Sequence, residues 1–482
     1  MPKHFDSESP FPLSEVSNGE FIPNPPNSLQ RAAAKLLVEE ADKRARKLGM
    51  SRRSFLRSAA GTATAFMVLN HVHGLASSGD AAILPVTKEQ CDDPEAAREI
   101  FKADHFIMDV QLHHVDTELY ANIPPQVLCF LRFLEPTVPC AERVQHLSQL
   151  NFIKEVFVDS ETAVGVVSGV PNGIPMPVDT MAATRDLANE LAGSQRCVSQ
   201  CMIDPTRRRG GELSIEDMER QVKELGAVAL KTYTGTTSIA LQGGWYLDDE
   251  EISYPMLEEA TRLGLRLINV HKGLPQILGP MASDYVRSRD LPKVSKDWPR
   301  LSFVAYHSGY FGDASAGPAG NGEFLSVVHS MNRRHNVYAE IGSTWAITFS
   351  QSPTRAAHFI GSLLKELGSS HIIWGTDSIW WGSPQWQIDA FKAFQIPVEM
   401  QEKFGYPPLR EIDKKRIFGL NAARLYRIKP NEKRCEISED RLTKMREDRE
   451  SVEANRSLRA YGPRTRREFL ALEEKEQEAE AG

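Results

Sequence analysis

The sequence predicts an α/β protein built on a closed (β/α)8 barrel of the TIM type, and three observations carry that prediction. Eight short apolar or β-branched runs follow one another between residues 105 and 377. Helical patterns separate several of them, as expected of parallel strands joined by helices. No Gly-x-Gly-x-x-Gly turn follows the first run, so an open dinucleotide-binding sheet would lack its phosphate loop.

Taken in order, the expected strands cover residues 105–113, 162–168, 196–203, 227–232, 265–271, 301–307, 336–341 and 371–377. Between the third and fourth runs, residues 215–225 place Met218, Val222 and Leu225 on one helical face with charges opposite, and Gly226 stops the helix. A second helix, 254–263, stops at Gly264 in the same way. Eight such repeats match the size of roughly 250 residues usual for a closed barrel. A packed helix is expected over 414–426. From about Pro430 the chain is rich in Glu, Lys and Arg and low in large apolar residues, which reads as a solvated helical or disordered tail.

Residues 51–57 read Ser-Arg-Arg-Ser-Phe-Leu-Arg, followed by a modestly apolar stretch over 58–69 and the small-residue pattern Gly74-Leu75-Ala76. This string resembles a twin-arginine export signal, which implies recognition by the export machinery and a periplasmic or other extracytoplasmic location. The expected organisation is a leader over 1–76, a linker over 77–104, the barrel over 105–428 and a charged tail over 429–482.

Composition narrows the function classes. With 41% hydrophobic and 25% charged positions among 482 residues, the chain can bury a full core. Its formal charge of −7 offers no clustered basic footprint for phosphates, which excludes nucleic acid as a partner. No apolar run reaches the length of a spanning helix, so no stable membrane anchor is expected. The six cysteines form no Cys-x-x-Cys pair, which argues against a zinc knuckle and favours buried free thiols.

In such barrels the reactive groups close the strands at their C-terminal ends. Strand one ends in Asp109-Val110-Gln111-Leu112-His113, strand five in Asn269-Val270-His271, strand six in Ala305-Tyr306-His307, and strand eight in Gly375-Thr376-Asp377. Three imidazoles and a carboxylate converging on one mouth supply the nitrogen and oxygen donors that suit one divalent metal, zinc first, with manganese or iron as alternatives. Trp380 and Trp381 after strand eight and Tyr233 after strand four are candidates to line a ring-sized pocket.

These stretches, with Lys231 after strand four, the His307-Ser308-Gly309 turn and the closing Ile-Phe-Gly-Leu-Asn-Ala-Ala-Arg-Leu-Tyr-Arg-Ile run from Ile417, resemble the amidohydrolase superfamily. The resemblance is to its amidohydrolase-related branch, which holds aminocarboxymuconate-semialdehyde and resorcylate decarboxylases and lactone hydrolases. It implies His113, His271 and Asp377 as metal ligands, with Gln111 as a weak or indirect fourth where the family carries His or Glu. It further implies Asp377 and His307 as catalytic acid/base groups and Lys231 as a contact for a substrate carboxylate. The expected activity is metal-dependent hydrolysis of a small cyclic or aromatic ester, lactone or amide. The same residues would serve non-oxidative decarboxylation of an aromatic or unsaturated acid, and a non-catalytic small-molecule-binding barrel is a third reading. A homodimer is compatible with the sequence.

Overall fold

The computed structural model describes residues 9–17, 21–76, 78–119, 146–173, 176–207, 209–235, 243–275, 283–312, 316–331, 336–451 and 464–468. Its strands are β1 (Met108–Leu112), β2 (Val164–Val167), β3 (Cys197–Ser199), β4 (Cys201–Met202), β5 (Leu230–Tyr233), β6 (Leu267–Gly273), β7 (Ser302–Tyr310), β8 (Val337–Glu340) and β9 (Ile372–Ile373). Each lies on one of the eight runs expected from the sequence, with β3 and β4 splitting the third. All pair in parallel, in the orders β1-β2-β3 and β4 through β9.

Main-chain hydrogen bonds join the two sheets into one ring. Gln200 N–H donates to Val167 O (3.2 Å), Val228 N–H to Ser199 O (3.0 Å) and Cys201 N–H to Ala229 O (2.8 Å), so β3 and β4 act as one strand serving both sheets. The other seam runs between β1 and the chain after β9. Val110 N–H donates to Trp374 O (3.2 Å), Asp377 N–H to Gln111 O (2.9 Å) and His113 N–H to Ser378 O (2.7 Å). Leu112 and Ser378 form a parallel bridge there. Eight strand positions thus close a barrel, and near-continuous burial along every strand follows from covering its outer face with helices.

Segments at both ends of the chain pack against the barrel. Within the expected leader, α1 (Ser28–Lys47), α2 (Arg52–Leu56) and α3 (Ala59–Val72) dock on the barrel. Phe55, Leu56, Ala60, Ala63 and Phe66 are fully buried in the same apolar cluster as the backs of the barrel strands. Phe66 meets Phe11, Phe101 and Phe349 with ring centroids 5.7–6.4 Å apart. Asn70 Nδ2 donates to Leu84 O (2.7 Å) and Gln30 Nε2 to Ser350 O (2.8 Å). An apolar run too short to span a bilayer gains its stabilisation by covering apolar surface instead. Among the described residues no helix is long and apolar enough to cross a membrane.

The expected linker holds two capped helices, Lys88–Asp92 and Pro94–Phe101. At the other end, the stretch expected to be solvated begins with helices Pro430–Ser438 and Arg441–Ser451. Leu442 is buried, and Asp440 accepts from the buried Arg196 guanidinium at 2.9 Å. A charged segment therefore docks because one carboxylate satisfies a guanidinium that would be costly to bury alone. Cys91, Cys197 and Cys201 are buried free thiols and Cys435 is exposed, while Cys129 and Cys140 lie outside the described residues.

Candidate active site

The barrel seam between β1 and the chain after β9 brings His113 and Asp377 together. His113 Nε2 stands 3.2 Å from Asp377 Oδ1, both side chains almost fully buried. His113 Nδ1 lies 2.8 Å from Ser168 O, an acceptor only, so this nitrogen carries the hydrogen. In the neutral ring Nε2 is then a bare lone pair facing a carboxylate oxygen. Two buried acceptors face each other only when a cation, a proton or a metal, lies between them. The second carboxylate oxygen is fixed from behind: Ser343 Oγ donates to Asp377 Oδ2, and Trp381 Nε1 donates to Ser343 Oγ at 2.9 Å. Trp380 lies nearly parallel to the His113 ring, centroids 6.2 Å apart.

A second group gathers at the ends of β5, β6 and β7. The His271 ring stacks on Tyr233 (4.8 Å) and meets His307 edge to face (4.7 Å). Lys231 is fully buried, with Nζ 3.7 Å from the centre of the Tyr306 ring and 4.8 Å from that of Tyr233. Two aromatic faces stabilise a cation held between them. Backbone strain concentrates here: His307, Ser308, Ser343 and Asp377 all have φ between 50° and 66°, a region that L residues occupy at a cost of roughly 1–3 kcal/mol each.

Gln111 joins the two groups. Its carboxamide lies between the Glu340 carboxylate and His307. With the amide nitrogen toward Glu340, it donates to Oε2 at 2.9 Å and Oε1 at 3.2 Å, and its oxygen meets His307 Nε2 at 3.2 Å. Glu340, which closes β8, passed unnoticed in the sequence although the same strand-end test points to it. Burial pushes its carboxyl up to about 7, against the pull of the His307 ring and of two main-chain N–H donors. Asp109, pushed up to about 8 by burial, accepts from Thr376 Oγ1 (2.5 Å) and from Gln111 N–H (3.1 Å), which ties β1 to the turn carrying Asp377.

Among the described residues no three His, Cys, Asp or Glu side chains stand close enough together to make a metal cluster on their own. His113 and Asp377 nevertheless fit one edge of a coordination sphere, because two ligands each about 2.1 Å from one ion sit roughly 3–3.4 Å apart. Of the other expected ligands, His271 packs against Tyr233 and His307, and the Gln111 amide meets Glu340 and His307. Of the other aromatic residues near strand eight, Trp374 packs in the core on Phe418 and Phe391, and Trp386 donates to Trp381 O (3.1 Å). A cavity of about 550 Å³ lies at the foot of the barrel, lined by His105, Glu161 and Lys392 among others, and contains none of these strand-end groups.

Residues 159–428, more than half of the chain, match the family model described as Amidohydrolase. None of the curated proteins compared matches the sequence. Solved structures with a similar fold include 5-carboxyvanillate decarboxylase from Sphingomonas paucimobilis, at 15% identity over 68% of this chain and 100% of that one, with a TM-score of 0.44. Another is a probable 2-pyrone-4,6-dicarboxylic acid hydrolase from Acinetobacter baumannii, at 13% identity over 67% and 100%, with a TM-score of 0.40. A third is a dihydroxybenzoic acid decarboxylase from Polaromonas sp., solved with bound manganese, at 16% identity over 67% and 97%, with a TM-score of 0.38. The matched segment spans β2 to β9 together with His271, His307 and Asp377, and the chain belongs to the amidohydrolase family.

Proposed function

We propose that this chain is a metal-dependent hydrolase acting on a small cyclic or aromatic ester, lactone or amide. The observation that carries the reading is the buried His113–Asp377 pair, two acceptors 3.2 Å apart at the catalytic end of the barrel. These two residues, with His271 as the third expected ligand and Gln111 as a weak or indirect fourth, would hold one divalent ion, zinc first, with manganese or iron as alternatives. When bound, such an ion polarises a carbonyl and lowers the pKa of water toward about 7. Asp377 Oδ1 would take a proton from attacking water, a role supported by Ser343 holding its other oxygen. His307 would steady negative charge on the substrate oxygen or protonate the leaving group. Lys231 would attract a substrate carboxylate, while Tyr233, Trp380 and Trp381 offer flat faces to a ring.

The test is a screen of lactones, aryl esters and hydroxybenzoates with metal counted per chain on the same sample. Ring opening or ester cleavage that tracks metal content supports the reading. Carbon dioxide release from a hydroxybenzoate would make the enzyme a carboxy-lyase using the same residues. No turnover with zinc, manganese or iron restored would leave a small-molecule-binding barrel. Export by the twin-arginine route belongs to the same proposal and is supported by the string from Ser51 to Arg57. Replacing Arg52 and Arg53 together by Lys should hold the chain in the cytoplasm, and unchanged export of that variant removes this part.

A further inference from the structure

We propose that Glu340 is a positioning residue that holds His307 in place along three routes, two through main-chain donors and one through Gln111. The first route is direct: His307 N–H donates to Glu340 Oε2 at 3.0 Å. That bond clamps a residue whose φ of 66° leaves it little freedom to relax once set. The second route passes through Gly342, whose N–H donates to Glu340 Oε1 and whose carbonyl faces His307 Nδ1 at 2.8 Å. The third is the Gln111 carboxamide, which touches the carboxylate with one end and His307 Nε2 with the other. Both ring nitrogens and the main chain of His307 therefore lead back to one carboxylate.

The space around Glu340 is shaped for it. A Cβ added at Gly342 or at Gly375 would collide with Glu340 Oε1, so the two glycines that follow β8 and β9 form a cradle for this group. A Cβ at Gly342 would also strike Gln111 Oε1. The chain around the His307 turn is braced on its other sides by Ser308 Oγ donating to Glu340 O (2.6 Å) and Thr344 Oγ1 donating to His307 O (3.0 Å). Under this arrangement Gln111 is a spacer between a carboxylate and an imidazole. Its neutral amide suits that place because it can donate at one end and accept at the other.

The catalytic meaning of this device rests on the proposed role of His307, but its test does not require a substrate. The measurement is the nitrogen-15 spectrum of the imidazole rings in full-length protein labelled at histidine, with His307 assigned by its absence in His307→Gln. In the unmodified protein the His307 Nδ1 should carry a hydrogen, in either orientation of Gln111, because it faces a carbonyl. Glu340→Gln puts an amide nitrogen against one of the two main-chain N–H groups, and Gly375→Ala fills the cradle without changing any polar group. Both should shift the His307 ring signals, whereas Gly61→Ala, a tight site far along the N-terminal helices, should lower stability without shifting them. A bare Nδ1 in the unmodified protein overturns the proposal whether or not the variants fold. So do unchanged His307 signals in a folded Glu340→Gln or Gly375→Ala protein. Failure to find any substrate would count against the hydrolase reading and leave this result standing.

Discussion

At the scale of single residues, the site is governed by which polar atoms face each other after burial. Under the proposed function Asp377 both ligates the metal and accepts a proton. Asp377→Asn preserves size and one oxygen donor but removes the basicity, so turnover on a substrate found by screening should fall roughly 10²-fold or more. Metal content should hold better than in Asp377→Ala, and near-normal turnover in a folded Asp377→Asn protein would take Asp377 out of the chemistry. Position 111 gives a second prediction. Read as a weak ligand, Gln111 invites replacement by Glu to tighten metal binding. With the buried Glu340 carboxyl 2.9–3.2 Å from its amide, Gln111→Glu instead presses two carboxylates together. One of them must then hold a proton or the fold loosens. The variant should therefore melt at lower temperature at pH 8 than at pH 5, relative to the parent at each pH. An equal difference at the two values would show that the groups do not meet.

At the scale of elements, the N-terminal helices behave as part of the barrel's outer layer. Ser51 and Ser58 cap α2 and α3 by accepting the N–H groups of Ser54 and Gly61. A Cβ on Gly61 would run into the backbone of Phe55 and Leu56, so the tight turn between the two helices needs a glycine. Gly61→Ala should cost about 1–3 kcal/mol, as overpacking usually does, read as a lower midpoint in urea. No change in midpoint would mean that these helices contribute nothing to the folded state. The apolar period of this stretch was legible in the sequence, but its destination was not. The surface that receives it, here Phe11, Phe101 and Phe349, comes from distant segments that a local pattern does not record.

At the scale of the whole molecule, stability should depend on pH through groups at both ends of the barrel. Burial, followed by the charges of Lys392, Lys414 and Lys415, pulls the His105 imidazole down to about 4, and these outweigh Glu411 at 3.2 Å. The unfolded chain takes up a proton near pH 6.5 that the folded protein refuses. The resulting stability is complete above about pH 6.5 and lost as pH falls toward 4. Glu340, raised to about 7, works the other way, its contribution being present below about 4.5 and lost as pH rises through 7. His105→Gln should therefore lose less stability than the parent between pH 7 and pH 4.5, measured by urea unfolding, and parallel losses would refute the assignment. The sequence by itself determined the barrel, its eight strands and the set of imidazoles and carboxylates at their ends, because strand alternation and strand-end chemistry are local. Only the tertiary structure decided how those groups divide. Closure of β1 against the chain after β9 joins His113 to Asp377, while the glycine cradle at Gly342 and Gly375 admits Glu340 beside Gln111 and His307. Such pairings depend on side-chain directions and on space left by residues far apart in the chain, neither of which a local pattern records.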